Sequence, residues 1–455
     1  MDPYRIPRLD GVTYSDLSLG MGIDRLDPER VKPGVLPVPR ADLPVGTFLD
    51  RSTVAFGMVD IERVYTVEYE VPSPERTTEP WREPWSVEAR VANPMTRYPR
   101  YADVRADWTP SLGSFGVVAE ATDGTIGFAT GSHGRPVATL IDDYLGERIT
   151  GEPAMAVEKV HDMLNRLCAP FGAAGIASYA VSAIDLALWD LKGRLLDRPV
   201  YELLGGPTKS ELTCYATGND TDWHLELGFP ATKLACPYGP ADGRDGLRKN
   251  VELVADTREL VGPDVEIMLD CWMAFTEAYT VRLVEKLREY DLKWIEETLP
   301  PENLDAHAGV RERVPYQTLS TGEHWYTTDR FQQAADRRVV DIFQPDINWV
   351  GGLTTVRQIC DIADAAGISV IPHGGGNTPF GQHACYALPA IPWAECFLSS
   401  PPGVPLEEAG GLPGVPVPED GTLTPADRPG FGIDLSRVEF TGRFTGEGDV
   451  PESAT

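Results

Sequence analysis

Cysteine is scarce and unpaired in this sequence. Seven cysteines are spread over 455 residues, and no two of them form a C-x-x-C pair. An odd number of scattered cysteines fits reduced thiols in the cytosol better than a disulfide framework, and a structural zinc site usually needs closely spaced ligands. The sequence therefore predicts neither disulfides nor a zinc site.

Basic residues and long apolar runs are also few. The sequence has 40 Lys and Arg residues and 69 Asp and Glu residues, which gives a formal charge of −29. A surface of this sign repels phosphate backbones and anionic lipids, so neither nucleic acid nor membrane is an expected partner. No apolar run approaches the roughly 18 residues of a membrane span, and the first residues lack the basic and apolar regions of a secretory signal. We expect a cytoplasmic protein.

The chain is long enough for more than one domain. Its 455 residues exceed the roughly 250 that a barrel domain needs. Residues 1–56 are rich in proline and glycine and are expected to form an irregular arm. Alternating segments around an Asp-Gly turn, followed by helical periodicity, predict a small α+β domain over residues 57–207. The turn-rich residues 401–455 are expected to return to that domain.

Between these parts, short apolar segments end on, or close to, single ionisable residues at intervals of 22 to 37 positions. These residues are Lys233, Asp270, Glu296, Glu323, Asp346, His373 and Glu395. The spacing is typical of one strand, one crossover helix and two loops. The sequence therefore predicts a (β/α)8 barrel over residues 208–400, with the ionisable residues gathered on the face where the strands end.

Three carboxylates, those of Asp270, Glu296 and Glu323, close consecutive predicted strands. Gathered at one place they repel one another unless a cation lies between them, and oxygen ligands select a hard ion such as Mg²⁺, one per chain. Glu297 is a competing ligand, but adjacent residues of a strand point to opposite faces, which favours Glu296. Three solvated or ion-paired acids are the alternative interpretation.

His373 and Asp346 are the predicted acid/base pair. His373 follows an apolar strand and precedes the segment GGGN, which allows a ligand to approach the backbone. Asp346 ends the preceding strand and can hold one ring nitrogen, which fixes the tautomer and raises the basicity of the other nitrogen. Glu395 ends the last strand and, if protonated, could donate a hydrogen bond to an oxygen that gains charge.

Several other residues are candidates for contact with a substrate. His324 directly follows Glu323 and could touch a ligand that binds the metal. Lys233 could bind a carboxylate or a hydroxyl. A long stretch rich in arginine and aromatic residues has the composition of a binding loop, and its arginines Arg90, Arg97 and Arg105 could meet a carboxylate or hydroxyls.

These residues carry a resemblance. The order Asp, Glu, Glu, Asp, His, Glu on successive strands, together with SAIDLALWDLKG, PVYELLGG and PGFGIDL, resembles the mandelate racemase group of the enolase superfamily. Within that group, LKWIEETLPP, GEHW, QPDINWVGGLTT and VIPHGG are similar to segments of the L-rhamnonate dehydratases. The resemblance covers about residues 57–440. It implies an enolase-like fold, in which an α+β capping domain covers a modified barrel, and assembly from several copies.

The resemblance also implies a site and a reaction. Mg²⁺ would bind Asp270, Glu296 and Glu323, and His373 with Asp346 would remove the proton α to the carboxylate of a sugar acid. Loss of the β-hydroxyl then gives a 2-keto-3-deoxy acid. Racemases of the group carry Lys-x-Lys on the second strand, whereas this chain has Lys233 followed by Leu and Ala, which favours dehydration from one face.

Two alternatives stay open. An epimerase or racemase would use Lys233 as the base on the opposite face, and a non-catalytic sugar-acid binder would keep the metal site without turnover. The chain also departs from dehydratases of the group, which carry a His in an early loop of the capping domain. Here that loop reads EARVANPM, which leaves Arg90 or nothing in its place.

Overall fold

The computed structural model describes residues 59–87, 89–103, 112–398, 400–446 and 448–451. The predicted irregular arm and Arg105 lie outside the described residues. Among the helices in these ranges, none combines the length and the apolar composition needed to cross a membrane.

The first part of the fold is an antiparallel meander, as the alternation predicts. Its strands are β1 (Ile61–Glu70), β2 (Phe115–Ala121) and β3 (Ile126–Gly131), and β2 pairs with both neighbours. Gly124 makes the turn between β2 and β3 with a φ of +85°, a conformation that favours glycine.

Helices follow the meander. They are α1 (Gly134–Leu140), α2 (Gly146–Arg148), α3 (Val157–Cys168), α4 (Ile176–Leu195) and α5 (Val200–Leu203). The sequence predicts one apolar face for α4, but the helix is buried on almost every side because it packs against the meander and against the following part of the fold.

Parallel strands alternate with helices in the second part. The strands are β4 (Leu212–Thr217), β5 (Ala231–Ala235), β6 (Glu266–Asp270), β7 (Trp294–Glu296), β8 (Leu319–Thr321), β9 (Ile342–Phe343), β10 (Ser369–Val370) and β11 (Ala394–Phe397). The helices are α6 (Thr221–Glu226), α7 (Gly243–Val261), α8 (Glu277–Leu287), α9 (Leu304–Arg313), α10 (Thr327–Arg337), α11 (Gly352–Ala366) and α12 (Pro379–Ala387). The strands pair in chain order from β10 back to β4, and β11 lies beside β4. The predicted (β/α) barrel is confirmed.

The barrel interior has an apolar floor beneath a polar layer. Met268 and Trp294 are fully buried in the cluster that forms the floor. Because strand side chains alternate, Asp270 and Glu296, two residues further on, point to the same interior at the carboxyl ends of their strands. The two acids are also register partners across β6 and β7. Strand alternation alone therefore places the acidic residues over the floor.

The tail contributes one short strand to each sheet. β12 (Thr422–Leu423) pairs with β4, and β13 (Glu439–Arg443) pairs antiparallel with β1. The tail therefore pairs with the barrel first and with the meander afterwards. The predicted boundaries between arm, capping domain, barrel and tail stay a prediction.

Asp190 on α4 ties three parts of the chain together. Its Oδ2 accepts hydrogen bonds from Phe128 N at 2.9 Å and from Arg194 Nε at 2.6 Å, and its Oδ1 accepts from Phe431 N at 2.8 Å. The Asp190 side chain is fully buried. This single carboxylate therefore joins β3, α4 and the tail.

Replacing Asp190 by Ala is expected to lower the free energy of unfolding by about 3–5 kcal/mol, because Arg194 loses its buried partner and two backbone donors lose their acceptor. Urea unfolding measures the change. Asp162→Ala is the matched control, because Asp162 accepts from Arg166 Nε with the same four-residue spacing on the exposed face of α3. Exposed pairs contribute little, so equal losses in the two variants would contradict the proposed role of Asp190.

Candidate active site

Three of the predicted acids meet around Lys233, a buried lysine that is itself a predicted site residue. Lys233 Nζ lies 2.6 Å from Glu296 Oε1, 2.6 Å from Glu395 Oε1 and 3.9 Å from Asp270 Oδ2. Strands β5, β6, β7 and β11 supply these side chains from inside the barrel. Burial disfavours the charged lysine, but Glu296 and Glu395 outweigh it and hold the pKa of Lys233 well above its ordinary value.

Glu395 is fixed by three donors. Besides Lys233, its Oε1 accepts from Thr217 Oγ1 at 2.5 Å and its Oε2 accepts from Gly374 N at 2.9 Å. Burial works against ionisation, yet Lys233 and His373 lower the pKa of Glu395 below its usual value. These contacts favour the ionised carboxylate, whereas the sequence-based expectation for Glu395 requires the protonated acid.

Glu296 is held at both carboxylate oxygens. Lys233 binds Oε1, while Gln344 Nε2 at 2.7 Å and Trp294 Nε1 at 3.2 Å donate to Oε2. Burial, partly offset by Lys233, raises the pKa of Glu296 to about 8. The structure thus places Glu296 inside the barrel, on the side that strand alternation predicts.

A second acidic group lies beside the first. Ligand atoms of Glu297, Glu323 and His324 lie within 4.8 Å of one another. His324 Nδ1 donates to Glu297 Oε1 at 2.7 Å, whereas Glu297 Oε2 is buried without a hydrogen-bond partner among the described residues. Burial and then the charge of Glu323 raise the pKa of Glu297 to about 8. Burial disfavours the imidazolium of His324, but Glu297 raises its pKa to about 9.

The structure joins His373 to Asp346. His373 Nδ1 donates to Asp346 Oδ2 at 2.7 Å, and its Nε2 lies 3.4 Å from Glu323 Oε2. Asn348 N donates to the other oxygen of Asp346 at 2.7 Å, which fixes the carboxylate. Burial disfavours the imidazolium, but Glu323 and Asp346 raise the pKa of His373 well above its ordinary value. Nε2 of His373 therefore faces Glu323.

An aromatic cluster covers both histidines. The ring of Trp349 lies 5.2 Å from that of His373 and 5.7 Å from that of His324, between centroids. From the first part of the fold, Tyr179 and His133 pack against Trp349, and their own rings stack at 4.2 Å. A cavity of about 720 Å³ opens beside Asp346 and His373, and its walls also come from the meander and the tail. His133, Tyr179 and Trp349 are not among the site residues that the sequence predicts.

The predicted arginines lie elsewhere. Arg90 binds Asp103 Oδ1 at 2.8 Å and Asp242 Oδ1 at 2.6 Å, and so ties its loop to the barrel. Arg97 lines a separate cavity of about 590 Å³. Within the described ranges neither arginine forms a hydrogen bond or ion pair with the predicted ligands or with His373. The structure therefore does not bring Arg90 and Arg97 into the group.

The donor set fits a hard cation. Asp270, Glu296, Glu297 and Glu323 are all carboxylates at neighbouring strand ends, and no donor in the described part of the chain reaches Glu297 Oε2. Burial raises the pKa of Asp270 as it does those of Glu296 and Glu297. A divalent cation among these oxygens would favour the ionised form of each carboxyl group. Carboxylate oxygens are also the ligands that Mg²⁺ prefers.

A barrel with acids and a His–Asp pair at its strand ends, joined to an antiparallel sheet with helices, defines an enolase-like protein. The model described as "Enolase C-terminal domain-like" matches residues 221–439. The model described as "Mandelate racemase / muconate lactonizing enzyme, N-terminal domain" matches residues 111–205. The chain belongs to the mandelate racemase/muconate lactonizing enzyme family of the enolase superfamily.

Similar proteins include dehydratases and a racemase. An L-rhamnonate dehydratase of Saccharopolyspora erythraea is 38% identical over 354 residues, which cover 77% of this chain and 90% of that protein. The structure of rhamnonate dehydratase from Gibberella zeae complexed with Mg is 35% identical, with a TM-score of 0.76, and the match covers 83% of this chain and 94% of that one. A Streptomyces coelicolor racemase with bound magnesium is 26% identical, with a TM-score of 0.66 and coverage of 82% and 96%. The fold alone therefore does not fix the reaction.

Proposed function

We propose that this chain is a Mg²⁺-dependent acid-sugar dehydratase of the L-rhamnonate dehydratase type. This hydro-lyase removes the proton α to a carboxylate and eliminates the β-hydroxyl, which yields a 2-keto-3-deoxy acid. The observation that carries the proposal is the one-sided arrangement of the candidate bases: Asp346 binds Nδ1 of His373 and leaves Nε2 facing Glu323 at 3.4 Å, whereas Lys233 is committed to Glu296 and Glu395. The named relatives support the substrate class.

Asp270, Glu296 and Glu323 would hold the cation, and Glu297 stands beside them. Bound Mg²⁺ would stabilise the negative charge that develops on the substrate carboxylate. His324, oriented by Glu297, would donate a hydrogen bond to a substrate oxygen. Glu395 would position Lys233 and, through Gly374 N, the loop that carries His373.

His373 would carry out both proton transfers. Asp346 accepts a hydrogen bond from the Nδ1–H group, so Nε2 carries the lone pair and takes the α-proton when the C2–H bond breaks. Asp346 stabilises the imidazolium that results. The imidazolium then gives its proton to the β-hydroxyl, which leaves as water when the C3–O bond breaks. The enol that remains becomes the 2-keto-3-deoxy acid.

Lys233 is a poor candidate for a second base. Its Nζ lies 2.6 Å from both Glu296 Oε1 and Glu395 Oε1, so two acids already bind the amine and hold it away from the role of a base. Racemisation needs proton exchange on both faces of the substrate, and this arrangement supports exchange on one.

The proposal includes assembly from several copies and a cytoplasmic location, with neither nucleic acid nor membrane as partner.

A panel of C5 and C6 aldonic acids tests the proposed function. With Mg²⁺ present, at least one acid is expected to yield a 2-keto-3-deoxy product in a keto-acid assay. EDTA is expected to abolish formation of the product, and excess Mg²⁺ is expected to restore it, because the cation stabilises the negative charge that develops on the substrate carboxylate.

Other outcomes of the panel separate the alternatives. Solvent deuterium incorporated with inversion into recovered substrate, without keto acid, would instead identify an epimerase. Ligand-induced thermal stabilisation without any turnover would identify a sugar-acid binder.

A further inference from the structure

Gln344 directly follows β9 and contacts the carboxylate of Glu296. Its side chain is buried, and Nε2 donates to Glu296 Oε2 at 2.7 Å. The indole of Trp294 donates to the same oxygen at 3.2 Å. Gln344 N is itself bonded to Thr321 O at 3.0 Å, so the barrel backbone fixes the position of this side chain.

The amide of Gln344 is not fully satisfied by the protein. Its Oε1 is buried without a hydrogen-bond partner among the described residues. A flipped amide would point that oxygen at the carboxylate of Glu296 and repel it, so the contact itself fixes the orientation. A buried, unpaired amide oxygen destabilises a fold, and an apolar side chain would avoid it. Glu296 is therefore the only hydrogen-bond partner of this side chain in the described part of the chain.

The contacts make the oxygens of Glu296 unequal. A carboxylate oxygen offers about two lone pairs. Those of Oε2 are both used, by Gln344 and Trp294, while Lys233 is the one donor to Oε1 among the residues that the structure describes. Oε1 is thus the oxygen with capacity left for a cation, and Gln344 and Trp294 set the rotation of the carboxylate that presents it.

We propose that Gln344, with the indole N–H of Trp294, is a positioning residue for the metal site: it clamps Oε2 of Glu296 and directs Oε1 to the cation. The inference rests on the proposed assignment of Glu296 as a ligand. Groups that hydrogen-bond a metal ligand typically contribute 10–100-fold to metal affinity or activity.

Metal affinity tests the role. Mg²⁺ binding to the full-length protein is titrated calorimetrically in the wild type and in Gln344→Met, which keeps a long side chain but removes the donor. The Kd of the variant is expected to rise about 10–100-fold. Trp294→Phe, which removes the other donor, is expected to raise the Kd as well, and provides a second test if Gln344→Met does not fold.

Gln317→Met is the matched control. Gln317 is also buried, and its Nε2 donates to the backbone oxygens of Leu292 at 3.1 Å and Thr318 at 3.3 Å. Gln317→Met is expected to lower the unfolding temperature of the metal-free protein but to leave the Mg²⁺ Kd unchanged. Wild-type affinity in Gln344→Met, or the same loss in both variants, would overturn the positioning role.

Glu296→Gln separates failure of this inference from failure of the site. If that variant weakens Mg²⁺ binding while Gln344→Met and Trp294→Phe do not, the ligand stands and the clamp is refuted. If Glu296→Gln itself binds Mg²⁺ like the wild type, or the wild type binds none, the ligand assignment fails and the clamp fails with it.

Discussion

Replacing His373 by Asn is expected to lower kcat by about 10²–10⁴-fold, the range that a positioned acid/base contributes. Asn cannot accept the α-proton, and Lys233, the candidate base on the opposite face, is paired with two acids. Exchange of the substrate C2 hydrogen with D₂O should be lost with turnover. Keto-acid formation and mass spectrometry of recovered substrate measure the two losses.

Two further variants sharpen this test. Asp346→Asn leaves an amide that can no longer stabilise the imidazolium, so kcat is expected to fall as well. His307→Asn is the matched control, because His307 is another buried histidine, on α9, whose Nδ1 binds Asn303 O at 2.9 Å. It is expected to keep its activity. Full C2 exchange in His373→Asn would show that another group removes the proton.

The sequence predicts the barrel because an ionisable residue recurs at or near the end of each apolar segment. The segment ELTCYATG predicts the first barrel strand, and β4 spans Leu212–Thr217. Alternation also decides between neighbours: Asp270 and Glu296 follow Met268 and Trp294 by two positions and share their interior face. The same rule would have identified Gln344, which precedes Asp346 by two residues.

Partners of side chains are harder to predict, because they depend on residues far away in the chain. Arg90 suits a substrate carboxylate in the sequence, yet Asp242 on a barrel loop binds it. Lys233 could bind a substrate, but Glu395 reaches it from the last strand. The approach of His133 and Tyr179 to Trp349 depends on how the first part of the fold packs on the barrel. No local sequence pattern predicts these long-range contacts.

The adjacent acids Glu296 and Glu297 provide the sharpest test of the metal site. Glu296 faces the interior beside Asp270, but three donors already bind its carboxylate. Glu297 lies close to Glu323 and His324 and has one oxygen without a donor among the described residues, although its φ of +44° takes it out of the strand conformation. Position in the barrel favours Glu296 as the ligand, whereas local proximity favours Glu297.

The same substitution at the two positions decides between them. Glu296→Gln is expected to weaken Mg²⁺ binding beyond the roughly 10–100-fold that loss of a neighbouring hydrogen bond costs, and to abolish turnover. Glu297→Gln keeps its length and removes the anionic partner of His324, so substrate KM should rise while Mg²⁺ still binds. Calorimetry with Mg²⁺ and keto-acid kinetics measure both effects. Loss of Mg²⁺ binding in Glu297→Gln alone would move the cation to Glu297, Glu323 and His324, away from Asp270 and the barrel axis.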